Sequence, residues 1–223
     1  MEIRRPIVSY ILKAIFNCLC KIDCKEFIET LKNNKPMIIA CNHINFLEIP
    51  VVVSECYPLK ITGLAKVETW NNAFFAFIFS TYKAVPINRR GAFSESIKKM
   101  KDMIEKGFFM CISPEGTRSK NGLLGKARAG IVQIALETDM PILPLAHHGG
   151  ENIWKNLKRF RRTPFVVKTG NPFRIKFDGR PDKEEREKIL AEVMGQVAKL
   201  LPEHMRGYYS EQANLESKYL DFM

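Results

Sequence analysis

The chain has 223 residues, 46% hydrophobic and 26% charged, a balance of a globular rather than a disordered protein that suffices for one ordinary core. A net charge of +11 and a pI near 9.4 point to an anionic partner: nucleic acid, an anionic membrane surface or a phosphorylated substrate. The six cysteines, at 18, 20, 24, 41, 56 and 111, form no CxxC pair, which argues against structural zinc and fits reduced thiols in a cytosolic protein.

Between Ile7 and Leu19, apolar residues at Ile7, Val8, Ile11, Leu12, Ile15, Phe16 and Leu19 recur at helical period behind Arg4 and Arg5. Lys13 interrupts the apolar run and no small-residue cleavage site follows, so the segment is neither a signal peptide nor a span. It reads as an amphipathic helix, either packed on the domain or lying in a membrane interface.

Met37 to Cys41 is a short buried strand that runs into Asn42-His43-Ile44-Asn45-Phe46-Leu47-Glu48. A histidine there can take a proton from an alcohol if a partner on its other ring nitrogen fixes the tautomer, and Glu48 is the nearest carboxylate. Five residues apart on a helix, the two side chains would face about 140° apart. They can therefore meet only if the backbone at His43 is non-helical. Cys41, beside this motif, is an alternative nucleophile, although neighbours on a strand point to opposite faces.

Ile49 to Val53 continues as a buried helix, and Leu59 to Ala65 as a second strand before Lys66-Val67-Glu68. The run Ala73 to Phe79 holds four phenylalanines and is core by default, with an exposed greasy patch as the alternative. A third strand, Lys83 to Asn88, ends in Arg89-Arg90-Gly91, residues suited to a phosphate because guanidinium forks match its oxygens. Ser94 to Lys106 is a helix stopped by Gly107, and Phe108 to Ser113 is a fourth, wholly buried strand. It leads into Pro114-Glu115-Gly116-Thr117-Arg118-Ser119, a polar turn placed where ligands of open α/β sheets collect.

A helix from about Ile131 to Thr138 and a strand Ile142 to Ala146 come next. His147 and His148 then read as loop residues, since no further ligand at metal spacing accompanies them. Lys155 to Arg162 is basic, Phe165 to Thr169 is a strand, and Pro181-Asp182 opens a helix to about Leu201. The expected fold is α/β: a mixed, largely parallel sheet flanked by helices, with an N-terminal amphipathic helical membrane-association segment over 1–30. The main domain is expected over 31–205 and a tail over 206–223.

The order of these motifs resembles the lysophosphatidic acid acyltransferase family, also called 1-acyl-glycerol-3-phosphate acyltransferases. That family carries Asn-His-x4-Asp, a strand ending in arginine, a Pro-Glu-Gly-Thr-Arg-Ser loop and a later apolar strand with a proline. Similar blocks here are Asn42-His43 to Glu48, Val85 to Arg89, Pro114 to Ser119 and Pro141 to Pro144, with Ala65-Lys66-Val67-Glu68 between the first two. The match covers roughly residues 36 to 148, and its third block is complete.

The resemblance implies that His43 is the general base on a glycerol hydroxyl, with the carboxylate at position 48 polarising its ring. Asn42, Lys66, Arg89, Glu115, Gly116, Thr117 and Arg118 would bind the acceptor. It further implies a lysophospholipid acceptor, an acyl-CoA or acyl-carrier-protein thioester as donor, no bound cofactor or metal, and a peripheral or monotopic place on the cytoplasmic face of an anionic membrane. Glu48 departs from the family's aspartate, and the longer arm opens the choice of another lysophospholipid or lipid alcohol as acceptor. An inactive lipid-binding relative and a nucleic-acid-binding protein are the rivals, the latter without a basic-aromatic motif to support it.

Overall fold

The computed structural model describes residues 3–87, 93–119 and 121–223. Among the described residues nine strands form one sheet, seven of them in the order β1 (Cys20–Asp23), β7 (Thr163–Thr169), β6 (Ile142–His148), β2 (Ile38–Cys41), β5 (Phe109–Ile112), β3 (Ile61–Lys66), β4 (Val85–Ile87). From β6 to β4 the neighbours are parallel; β7 runs antiparallel to β6 and carries β1 parallel on its outer edge. Two short strands, β8 (Phe173–Ile175) and β9 (Leu220–Phe222), extend the sheet antiparallel beside the start of β6.

The central strands are buried on both faces, as a parallel sheet between helix layers requires, and their side chains alternate between two cores. Ile38 and Ala40 of β2, Met110 and Ile112 of β5 and Ile142 and Ala146 of β6 enter one core. Ile39 and Cys41, Phe109 and Cys111, and Leu143 and Leu145 enter the other. The first core is closed by α5 (Phe93–Glu105), α6 (Gly130–Thr138) and α8 (Lys183–Leu200), the last of which starts with a reciprocal cap between Asp182 and Glu185. The second is closed by α1 (Arg4–Leu19), α2 (Lys25–Asn33), α3 (Glu48–Glu55), α4 (Ala73–Thr81) and α7 (Ile153–Leu157).

Several sequence expectations shift. His147 and His148 are the last two residues of β6 rather than loop residues, because the antiparallel register with β7 runs on through His148 and Val166. The phenylalanine run is helix α4, but Ile78 alone of its residues is buried, while Phe74 and Phe77 are 65% and 45% exposed. Reading that run as core is therefore corrected. The boundary expected at residue 30 falls inside α2, and β1 lies in the sheet. The expected tail packs through Tyr209, Ala213 and β9, with the Tyr209 hydroxyl accepting the Ala127 N–H at 3.0 Å. No helix among the described residues is long and apolar enough to cross a membrane.

Candidate active site

The carboxyl ends of β2, β5 and β6 lie side by side, and the site is built from the residues at and just beyond these three ends. After β2 the chain turns through residues 42–47 without helical structure and enters α3 at Glu48. The non-helical backbone required for the pair to meet is present. His43 Nδ1 lies 3.2 Å from Glu48 Oε2, with the imidazole 23% exposed and the carboxylate fully buried.

Glu48 stands in the first turn of α3, where the helix dipole favours an anion. Its arm folds back over the loop: the Ile44 N–H donates to both oxygens, at 3.1 and 3.0 Å, and the Asn45 N–H to Oε1 at 2.7 Å. These charge-assisted bonds stabilise the buried carboxylate. They also show how the loop accommodates a glutamate arm. Asn45 ties the loop down further, accepting from the Leu47 N–H at 2.8 Å and donating to the Gly150 carbonyl at 3.0 Å.

The turn after β5 meets this loop from the side. Glu115, 4% exposed, accepts the His43 backbone N–H at 2.8 Å and the Gly125 N–H at 2.7 Å, one on each oxygen. Burial pushes its carboxyl up to about 7 against the opposing pull of those two donors. Ser119 completes the clamp by donating its N–H to the His43 carbonyl at 2.8 Å. A Cβ added at Gly125 would lie 2.9 Å from the Glu115 carboxylate oxygen, so that carboxylate would have to shift.

The third strand supplies His147, buried and stacked on the Phe165 ring with centroids 5.9 Å apart. Asn42 clamps its main chain in both directions, donating Nδ2–H to the His147 carbonyl and accepting the His147 N–H, each at 2.9 Å. The His147 ring donates Nε2–H to the Asn42 carbonyl at 2.8 Å, and the same nitrogen lies 3.6 Å from Glu48 Oε2. Full burial lowers the basicity of this ring, but the Glu48 carboxylate, Cys41 and the Asn42 carbonyl outweigh it and push the group up to about 9.

Of the residues singled out in the sequence, His43, Glu48 and Glu115 are joined by hydrogen bonds, and Asn42 is bonded to His147. Asn42 and Glu115 spend their polar atoms on protein backbone. Thr117 and Arg118 are exposed on the turn between Glu115 and Ser119, and Gly116 adopts a positive φ of 65° there, bonding its N–H to the Ser113 carbonyl. Lys66 is exposed at the end of β3, two strands away from β2, and Arg89 lies outside the described residues. Cys41 faces the interior, its sulfur against the Ile112 carbonyl and the Ser113 hydroxyl, rather than the open side. Sequence reasoning missed the parts played by His147, Ser119 and Gly125. The available signal for His147 was a histidine ending one apolar strand as His43 succeeds another.

Against the loop that follows His43, a shallow depression of about 340 Å³ has Ile44, Asn45, Ser119, Asn121, Glu151 and Trp154 among its lining residues. Fold and site thus define an α/β protein organised around a histidine–carboxylate pair at the carboxyl edge of a largely parallel sheet. A family model described as Acyltransferase matches residues 24–148, and the chain belongs to the acyltransferase family.

Among its relatives, a 1-acyl-sn-glycerol-3-phosphate acyltransferase of Cocos nucifera is 32% identical over 161 residues, which are 70% of this chain and 50% of that protein. One from Bacillus subtilis (strain 168) is 25% identical over 174 residues, 78% of this chain and 84% of that protein. The chain thus spans about half the length of the coconut relative and most of the bacterial one. The fold is that of the crystal structure of the 1-acyl-sn-glycerophosphate (LPA) acyltransferase PlsC from Thermotoga maritima. The TM-score is 0.61 at 21% identity, over 96% of this chain and 81% of that one.

Proposed function

We propose that this protein moves a fatty acyl group from an acyl thioester, of coenzyme A or a carrier protein, to the free hydroxyl of 1-acyl-sn-glycerol 3-phosphate, giving phosphatidic acid. The observation that carries the reading is the contact of 3.2 Å between His43 Nδ1 and Glu48 Oε2, made by a half-open ring beside a fully buried carboxylate. With Nδ1–H donated to Glu48, Nε2 is the nitrogen left to accept a proton.

In the reaction the acceptor hydroxyl gives its proton to Nε2 as its oxygen attacks the thioester carbonyl. The imidazolium formed is stabilised by Glu48. Collapse of the tetrahedral intermediate breaks the C–S bond, and the proton passes from Nε2 to the departing thiolate. No covalent acyl-enzyme is required. Arg118, Thr117 and Lys66, together with Arg89 of the sequence motif, are the groups assigned to the anionic headgroup. The names of the relatives support lysophosphatidic acid as that acceptor.

The workplace in this reading is the cytoplasmic face of an anionic membrane. The helices that cover one face of the sheet carry exposed Ile7, Ile11 and Ile15 on α1, Phe74 and Phe77 on α4, and Trp154 on α7. Phe46 from the His43 loop joins them through ring contacts: Phe74 with Phe75 at 5.6 Å, and Phe75 and Trp154 each 6.4 Å from Phe46. Beyond α7, Phe160 is fully exposed among exposed Lys155, Lys158, Arg159 and Arg161. Aromatic rings beside cations suit an interface of acyl chains and anionic headgroups.

The test is an assay of purified protein with labelled acyl thioesters and a panel of lysolipids. Turnover with lysophosphatidic acid above the other acceptors is expected. Turnover confined to another acceptor would replace the substrate assignment, and absence of turnover with every acceptor would remove the enzymatic one.

A further inference from the structure

The pair at the site is in fact a group of three. Glu48 Oε2 lies 3.2 Å from His43 Nδ1 and 3.6 Å from His147 Nε2, so one carboxylate oxygen serves two imidazoles, the first open to solvent and the second buried. The Asn42 carbonyl at 2.8 Å can only accept, which places a proton on His147 Nε2. The other ring nitrogen, Nδ1, is buried without a hydrogen bond of normal geometry. A buried polar atom of this kind calls for an account.

The groups facing the ring are few. Glu48 comes from α3, Cys41 from β2, His148 is next along β6, and β7 contributes the apolar face of Phe165. The only carboxylate among these is Glu48, which accepts the Ile44 and Asn45 N–H donors. A second proton on His147 would therefore sit in the buried interior against the Glu48 carboxylate and beside Cys41, whose hydrogen bond and charge also favour it.

We propose that His147 is a positioning residue that carries two protons at neutral pH and shares the Glu48 carboxylate with His43, so that the solvent-open imidazole feels only part of that negative charge. The raised titration of His147 agrees with this. The consequence is chemical. A carboxylate beside a general base favours its protonated, inactive form. A buried cation on the far side of the same carboxylate offsets that effect and extends the pH range over which His43 can accept a proton.

This inference rests on the proposed role of His43, but its first test does not need turnover. The full chain, labelled with 15N-histidine, is titrated from pH 5 to 10 by NMR. Its four histidines are assigned through His147→Gln and single substitutions of the other three. The His147 ring nitrogens are expected to report a doubly protonated imidazole at pH 7 that loses one proton only at alkaline pH, with the His43 signals moving in the same step. A His147 ring bearing one proton at pH 7, or one that titrates without disturbing His43, would overturn the proposal.

The second test is the pH dependence of kcat/KM in His147→Gln, which keeps an N–H near the Asn42 carbonyl and removes the charge. The acid limb should move to higher pH by about one unit. A folded variant with an unmoved acid limb overturns the proposal even if its kcat is lower. If His147→Gln does not fold, assignment by elimination through the other three histidines leaves the titration of the unaltered chain decisive.

Discussion

Two strand ends supply a buried glutamate each, and the two carboxylates do different things to the same histidine. Glu48, after β2, receives the His43 ring through Nδ1. Glu115, after β5, receives the His43 backbone N–H and, on its other oxygen, the Gly125 N–H. One carboxylate addresses the ring whose protonation changes in the proposed reaction; the other addresses an amide that never changes. Glu48 is accordingly the electrostatic partner and Glu115 the anchor. Their burial is nearly the same, so burial alone does not mark a residue for chemistry. The identity of the hydrogen-bonded atom does.

The sharpest way to break this contrast is at the ring itself. His43→Ala removes the group that both glutamates serve and should lower kcat/KM for acyl transfer by about 10²–10⁴-fold, the usual worth of a positioned acid–base group. Glu48→Gln comes next. It leaves the Ile44 and Asn45 N–H donors facing a neutral amide, so it should cost about 10²-fold in kcat together with a measurable drop in Tm. Glu48→Asp shortens the arm that spans the loop. A displacement of about 1 Å at the imidazole should lower kcat by up to about 10²-fold, with a smaller effect on Tm than in Glu48→Gln.

Glu115→Gln should show the reverse proportions. One of its two backbone donors loses its acceptor, which costs about 1–3 kcal/mol in chemical denaturation, while kcat falls less than in Glu48→Gln. The pH dependence of stability sharpens the point. The folded-state carboxyl of Glu115 is raised to about 7 from an ordinary 4.5, so the protonated form favours folding. Its contribution is complete below about pH 4.5 and is lost as pH rises through 7. Glu115→Gln should flatten the stability profile in that window.

The smallest effects are expected away from both glutamates. Phe160→Ser, at a fully exposed ring, should weaken binding to anionic vesicles about tenfold and leave kcat with dispersed short-chain substrate unchanged.

Chain distance decides how much of this was legible in the sequence. Ile38–Cys41 and Phe109–Ile112 were legible as strands because both faces are buried and every residue is apolar. His43 and Glu48 were legible because they are five residues apart and the requirement on the intervening backbone could be stated in advance. His147 was not, since its partner Asn42 is 105 residues away and only the parallel pairing of β2 with β6 brings them together. The anchoring role of Glu115 was hidden for the same reason: Glu115 looked like a residue of the binding turn until its partners proved to be main-chain donors. Strand β1 and helix α2 escaped because they are short and mixed. Helix α2 sets Phe27, Ile28 and Leu31 on one face, but its nine residues fall short of the window over which a helical period is read.

The most direct measurement is a paired one on vesicles containing lysophosphatidic acid: acyl transfer by the unaltered chain and by His43→Ala, with vesicle binding recorded in the same samples. Transfer should fall by at least about 10²-fold while binding is unchanged. Transfer that survives in His43→Ala at comparable binding would contradict the assignment of His43 as the base.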